Sequence, residues 1–309
     1  MTQPHPRPLT RALRVLKRDH QLLVLLLPGL VFYAVFRYGP MYGILIAFKK
    51  YSPFLGIMRS PWVGAQHFVK FFRSSDFFLL LRNTFLLGVY SLLFSFPATL
   101  LFALLLNEVM HPGFKKAVQT IAYLPTFLSV VIVCSMTIEL LSPQNGLINK
   151  IIMGVGRKSI YFLIKPEWYR TFYIASGIWA SLGSGAIIFL AALSGIDPAL
   201  YEAATLDGCR RLGMVRHITL PSILPTIVTM FILQSANVMR IGADKTLLLY
   251  NPMTYAVSDI IASFVYRKGI VEKNFSYGAA VGLFESVVAC AILLSTNALS
   301  RWTTGESLW

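Results

Sequence analysis

The stretch TFYIASGIWASLGSGAIIFLAALSGI, residues Thr171–Ile196, is apolar and carries no charged side chain. A second uncharged run, Ile218–Met239, follows it after a loop that contains YEAATLDGCRRLGMVRH, Tyr201–His217. About 20 helical residues, each rising about 1.5 Å, cross the hydrocarbon core of a bilayer, which is about 30 Å thick. The two runs are therefore predicted to be transmembrane helices, joined by the loop on one side of the membrane.

The same pattern recurs along the chain. Of its 309 residues, 56% are hydrophobic and 13% are charged, whereas soluble domains carry about 25% charged residues. Arg37 and Glu285 each interrupt one apolar run without dividing it. The sequence predicts an all-α integral membrane protein with six transmembrane helices: Gln21–Phe48, Phe85–Leu106, Ala117–Ile138, Thr171–Ile196, Ile218–Met239 and Ser276–Ser300.

Prolines and small residues within the spans bear on helix packing. Neighbouring helices can satisfy the carbonyls that a proline frees, so four prolines are not expected to break their spans: Pro28, Pro97, Pro125 and Pro225. The first span is expected to be long, or bent around Pro28–Gly29 and Gly39–Pro40. In the fourth span, small residues should let another helix approach closely: Gly177, Ala180, Ser181, Gly183, Ser184 and Gly185.

Hydrophilic segments separate the spans. On one side, segments 49–82, 142–170 and 241–275 are predicted to form short interfacial helices outside the cell. On the other side lie the basic tail 1–20, the links 109–116 and 197–217, and the tail 301–309. The basic residues before the first span favour a cytoplasmic N-terminus, yet the external segments hold more Lys and Arg than the cytoplasmic ones. Charge alone therefore leaves the orientation open.

Several classes of function lack the residues that they need. The net charge of +15 is explained better by bases flanking spans than by nucleic acid binding. A P-loop requires glycine before its lysine, but Arg157 holds that place in GVGRKS, Gly154–Ser159. The three cysteines form no CxxC pair and the five histidines are scattered. We therefore expect no enzyme activity, no catalytic residue, no metal site and no cofactor bound by this chain.

The loop after the fourth span has the signals of a short helix. Asp197 and Pro198 are typical of a helix start, and Gly208 tolerates the left-handed conformation that ends one. Ala199, Ala203 and Leu206 fall on one face at helical spacing. From these residues alone, an ordinary amphipathic connector explains the loop.

The spacing of the loop also resembles a family signature. The loop resembles the EAA loop of permease subunits of bacterial ABC importers. Its pattern is Glu202-Ala203-Ala204, three residues, Gly208, nine residues, Ile218, one residue and Leu220-Pro221. The resemblance implies a type I permease fold with a first helix at 21–48 and a core at 83–300. It implies that loop 197–221 is cytoplasmic, so that both termini are inside, and that it couples to the ATPase through Glu202, Ala203, Ala204, Asp207, Gly208, Arg211, Ile218, Leu220 and Pro221.

Further short sequence motifs indicate a particular branch of that family. SPWVG, ALLLNE, GIDPALYEAA, HITLP and AVGLFESV are similar to permeases that import oligosaccharides from complex polysaccharides, a branch that includes the alginate importer. The resemblance implies a bacterial inner-membrane location and four kinds of partner: a second permease, an ABC ATPase dimer that uses ATP and Mg, an extracytoplasmic solute-binding protein and the lipid bilayer.

The nature of the cargo stays open at this point. The excess of bases over acids in the external segments would attract an acidic, alginate-like oligosaccharide, but contact with lipid phosphates explains it equally, and a neutral cargo fits the same class. A secondary transporter driven by an ion gradient is the alternative from another class, although no internal repeat is visible. A membrane subunit without transport activity is a third.

Polar and aromatic residues inside spans are the candidates for a substrate pathway, because polar groups are costly there. Gln234, Asn237 and Arg240 are expected to share one face of the fifth span, and Glu285 lies in the sixth. Tyr173 and Trp179 are expected to offer aromatic surface to a sugar ring. For each residue, helix packing or ion pairing is the competing interpretation.

Overall fold

The computed structural model describes residues 20–305 and 307, so the predicted tail 1–20 lies outside the described residues apart from His20. Within the described part, the regular secondary structure is helical apart from one isolated antiparallel bridge, Lys49–Trp62, and turns and loops join the helices. The chain divides after Gln66 into two units, which are described separately. The predicted all-α class is confirmed.

The first unit is built on α1, His20–Tyr33. The helix continues as a π-helix, Ala34–Tyr38, and then as a 3-10 helix, Gly39–Phe48. Together, His20–Phe48 is long and apolar enough to be one span. Pro28 lies inside it, as expected. The short α2, Gly56–Arg59, lies between the two residues of the bridge.

The helices from Gln66 onward include three continuous spans and several shorter elements. The continuous spans are α4, Phe77–Asn107, α8, Pro166–Ser194, and α16, Phe275–Thr304. The remaining helices are α3 (Gln66–Phe72), α5 (Pro112–Tyr123), α6 (Val130–Leu141), α7 (Leu147–Gly154), α9 (Pro198–Leu206), α10 (Arg211–Met214), α11 (Leu220–Ser222), α12 (Leu224–Ser235), α13 (Ala243–Leu249), α14 (Tyr255–Ser258) and α15 (Ile261–Val265).

The third predicted span is not one helix. α5 passes into a tight turn, Leu124–Phe127, and α6 leaves at 103° to it. Pro125 has no N–H to donate within this turn, and the Ser129 hydroxyl caps α6 by accepting from the Ile132 amide at 3.3 Å. The expectation that Pro125 would be absorbed into a continuous span was therefore wrong, because a turn and a new cap replace the missing bond. Pro97, by contrast, lies inside the unbroken α4.

The fifth predicted span is bent as well and ends early. The segment Arg211–Ser222 meets α12 at 65°, with the break at Ile223 and Pro225 in the first turn of α12. α12 ends at Ser235 rather than at Met239, so the expected end of this span was wrong. If each bent pair counts as one span, the described residues contain six, as predicted.

Small residues bring the spans together at three points. A Cβ at Gly88 of α4 would clash with the Val238 backbone, and one at Gly183 of α8 would clash with the Ala122 backbone. At Gly185, a Cβ would come within 2.9 Å of the Thr99 methyl group. The prediction that small residues of the fourth span allow close approach is confirmed.

Short helices and polar contacts order the segments predicted to be external. Asn149 of α7 is fully buried, donates to the carbonyls of Leu141, Ser142 and Ile160, and accepts from the Ile160 amide at 2.8 Å. Asp259 forms a two-pronged ion pair with Arg267, at 2.9 and 2.6 Å. Asn149 thereby satisfies backbone groups that lie outside regular helix, and the ion pair holds the segment after α14 in place.

Candidate functional site

A cavity of about 370 Å³ opens between α4, α8 and the end of α12. Its polar lining consists of five hydroxyls and two amides, and none of its lining residues is charged. The full lining is Gly88, Ser91, Leu92, Ser95, Thr99, Ser181, Ser184, Gly185, Gln234, Asn237, Val238 and Ile241. Neutral donors and acceptors of this kind suit the hydroxyl groups of a sugar.

The hydroxyls of α4 come from one helical stripe. Ser91, Ser95 and Thr99 are spaced four residues apart and so lie on one face. The Thr99 hydroxyl donates to the Ser95 carbonyl at 2.8 Å, and that of Ser184, on α8, to the Ser181 carbonyl at 3.1 Å. Because such bonds use the hydroxyl hydrogen, the oxygen lone pairs stay available to accept from a ligand.

The two amides supply the donors. Neither Gln234 nor Asn237 has a side-chain hydrogen bond to any other described residue, although Gln234 is half-buried. Because Asn237 is exposed and Gln234 only half-buried, both amides are free to bind a ligand or water. Asn237 lies in the turn beyond α12.

The structure separates the residues predicted to form the pathway. Gln234 and Asn237 line the cavity, whereas Arg240 is exposed and does not. The common helical face expected for the three is absent, because α12 ends at Ser235. Arg240 instead lies close enough for its charge to act on Glu285 of α16.

The aromatic pair does not form a shared surface. Tyr173 is buried in a core cluster with Tyr169 and Cys134 and does not line the cavity. Trp179 lines a separate, apolar cavity of about 230 Å³ beside Met136 and Phe172. The sequence interpretation did not include the hydroxyl stripe of α4, Ser91, Ser95 and Thr99. The four-residue spacing of these hydroxyls within an apolar run could have revealed it.

The loop after α8 forms the predicted helix. Asp197 caps α9 by accepting from the Ala199 amide at 2.9 Å, Pro198 occupies the first turn, and Gly208 ends the helix with a φ of +75°. The Tyr201 and Thr219 hydroxyls are 2.9 Å apart and tie α9 to the segment that enters α11. The predicted start and stop of this helix are confirmed.

The outer side of this loop is uncovered. Glu202, Ala203, Asp207 and Gly208 are exposed, and Leu206 is 90% exposed at the end of α9. Nearby, Leu212 is 85% exposed, and Arg211 donates to the Met110 sulfur at 3.4 Å. Of the remaining signature residues, Pro221 is exposed and Ala204, Ile218 and Leu220 are half-buried.

Comparison with known proteins decides the family. Residues 76–304 match the family described as "Binding-protein-dependent transport system inner membrane component". The chain belongs to this family. Protein LplB of Bacillus subtilis is 44% identical over 95% of this chain and 92% of its own length. The polygalacturonan/rhamnogalacturonan transport system permease protein YteP of the same organism is 43% identical, over 97% and 93%.

Two solved structures share the fold of this permease. One is a bacterial ABC transporter involved in the import of the acidic polysaccharide alginate, with a TM-score of 0.87 and 41% identity over 95% of this chain and 99% of the other. The second is a bacterial alginate ABC transporter in complex with an alginate pentasaccharide-bound periplasmic protein, with a TM-score of 0.86 and 40% identity over 96% and 99%. The chain is thus a type I ABC importer permease for oligosaccharides, a transport subunit rather than an enzyme.

Proposed function

We propose that this permease forms half of the translocation pathway of an ATP-driven importer for acidic oligosaccharides. The observation that carries the oligosaccharide pathway is the cavity between α4, α8 and α12, with its hydroxyls and its two amides that have no hydrogen-bond partner among the described residues. Relatives support the acidic cargo, since YteP is named for polygalacturonan and rhamnogalacturonan and the solved transporters for alginate. Gln234 and Asn237 would bind the sugar hydroxyls.

α9 would couple the cavity to an ATPase. The loop continues from α8, which contributes Ser181 and Ser184 to the cavity, and leads into α12, which contributes Gln234. A displacement of α9 would therefore reach two walls of the cavity, partly through the Tyr201–Thr219 contact. Glu202, Ala203, Ala204 and Gly208 would contact the ATPase, and the loop and both termini would be cytoplasmic.

The complete importer would contain four kinds of component. A second permease would supply the other half of the pathway, an ATPase dimer would bind ATP and Mg, and a solute-binding protein would deliver the cargo outside. ATP binding would draw the α9 helices of the two permeases together and shift the population toward a state open to the outside. Hydrolysis would restore the state open to the inside.

Vesicles that contain the whole importer provide the test. We expect wild type to import an acidic tetrasaccharide, such as oligomannuronate or oligogalacturonate, and Gln234→Leu and Asn237→Leu to lower the rate about tenfold, equivalent to about 1.4 kcal/mol. Gln144→Leu is the matched control, because Gln144 is an exposed amide in the turn after α6.

One observation favours a second candidate, an importer of neutral oligosaccharides: none of the residues that line the cavity is charged. Wild-type uptake of a neutral tetrasaccharide without uptake of the acidic ones would select it. Equal uptake by the control and both amide variants would remove the cavity from the pathway.

A further inference from the structure

A lysine lies beside the cavity without an anionic partner. Lys245 extends from α13 and donates from Nζ to the Tyr173 carbonyl at 2.6 Å, with Nζ 4.4 Å from the centre of the Tyr173 ring. Among the described residues, no carboxylate lies within ion-pair distance of it. An ammonium has three N–H donors, so two remain for a ligand.

Two chain segments bring Lys245 close to residues that line the cavity. Along α8, Nζ lies 3.1 Å from the point where a Cβ of Gly177 would stand, one helical turn before the cavity residue Ser181. Along the other segment, Lys245 follows the cavity residue Ile241 by four positions. The absence of a side chain at Gly177 leaves room for Nζ beside α8.

The surroundings of Lys245 penalise its charge. Burial lowers the pKa of Lys245 to about 8, and the nearby Cys134 thiol of α6 offsets only part of that shift. A half-buried cation without a counter-ion costs free energy that an arriving anion would offset. Tyr173 contributes only a neutral carbonyl and the face of a ring.

We propose that Lys245 binds the carboxylate of an acidic sugar unit at the end of the cavity. The hydroxyls and amides of the cavity then contact the sugar ring, and the ammonium distinguishes acidic units from neutral ones. The inference rests on the proposed function, because it names the residue of that same pathway that recognises the negative charge of the cargo. It reconciles an uncharged cavity with a charged cargo, since one monovalent cation next to the lining suffices for one carboxylate.

Three variants of the reconstituted importer test the assignment with an acidic tetrasaccharide delivered by a saturated binding protein. Lys245→Met should lower the uptake rate about tenfold, and Lys245→Arg, which keeps the charge, should stay within about threefold of wild type. Lys268→Met is the matched control, because Lys268 is a half-buried lysine of the same segment whose charge is already paired with Glu272 at 2.8 Å. It should import at the wild-type rate.

A pH profile separates charge recognition from a structural role. The groups that face Lys245 are Cys134 from α6 and Tyr173 from α8, while α15 contributes no titratable side chain. Since protonated Lys245 is lost as pH rises through about 8, the ratio of wild-type to Lys245→Arg uptake should fall about tenfold between pH 7 and pH 9.

The outcomes distinguish this inference from the proposed function. A constant ratio across that range, or wild-type uptake by Lys245→Met, would overturn the role of Lys245 while leaving acidic import intact. Loss of uptake in Lys245→Arg equal to that in Lys245→Met would make the lysine structural and also overturn the inference. A wild-type importer that takes up no acidic oligosaccharide would instead overturn the acidic cargo itself.

Discussion

The cavity and the α9 loop are assembled in opposite ways. The cavity collects side chains from α4, α8 and α12, and a glycine–backbone contact between Gly88 and Val238 brings two of these segments together. The α9 loop gets its shape from its own residues, with Asp197 starting the helix and Gly208 ending it. The loop is exposed, whereas the cavity depends on buried contacts between distant segments.

This difference teaches where mutations should act. A change at a contact between segments alters the assembly of the cavity, and its cost depends on whether the neighbouring backbone can move. A change at a local signal alters one turn of the exposed loop and leaves the packing of the spans in place. Three substitutions, each with a matched control, test this contrast.

The largest effect is expected at Gly88. Gly88→Ala would place a Cβ against the Val238 backbone, and overpacking of this kind costs about 1–3 kcal/mol. Thermal unfolding of the purified complex should show a lower midpoint and a lower yield. Gly282→Ala on α16 is the control, because no atom lies within 4 Å of the position that the alanine methyl group would occupy, and alanine there should be neutral or stabilising by up to about 1 kcal/mol. Equal destabilisation by both would contradict the contrast.

A smaller, functional effect is expected at Gly208. Its φ of +75° is left-handed, which costs an ordinary residue about 1–2 kcal/mol but which asparagine tolerates. Gly208→Val should lower binding-protein-stimulated ATP hydrolysis about tenfold, while Gly208→Asn should stay within about threefold. The midpoint of thermal unfolding should fall less in the valine variant than in Gly88→Ala and should stay at the wild-type value in the asparagine variant. Full stimulation in the valine variant would show that the turn does not transmit the signal.

The smallest effect is expected at Asp197. Asp197→Ala removes the acceptor for the Ala199 amide, and loss of such a cap costs about 1 kcal/mol. Hydrogen exchange of the amides in the first turn of α9 should become about fivefold faster, since local opening governs it. Asp197→Asn keeps an acceptor oxygen and should exchange at nearly the wild-type rate. A spread of faster exchange into α8 would show that the loop and the spans are not independent.

The spans show how far the sequence could predict the fold. Apolar runs located all six, because the bilayer requires long stretches without charge whatever their packing. The breaks at Pro125 and Ile223 were not predicted, since the same residue type, Pro97, lies in an unbroken helix. Whether a proline bends a span depends on the caps and neighbours available to it, such as Ser129.

The candidate site divides in the same way. The loop helix could be predicted residue by residue, because a carboxylate, a proline and a glycine act on the backbone next to them. Of the predicted pathway residues, only Gln234 and Asn237 line the cavity. Tyr173 and Trp179 lie on different faces of α8, because six residues at 3.6 per turn do not return to the same face. What covers each face is decided by packing.

By itself, the sequence determined the helical class, the number of spans, the α9 helix and the resemblance that led to the family. These features depend on composition and on short-range backbone chemistry, which are present in the chain before it folds. Only the tertiary structure decided that the Ser91, Ser95 and Thr99 stripe meets the amides of Gln234 and Asn237. It also decided that Lys245 lies beside Tyr173 and Gly177, because contacts between residues far apart in sequence form only when the helices pack.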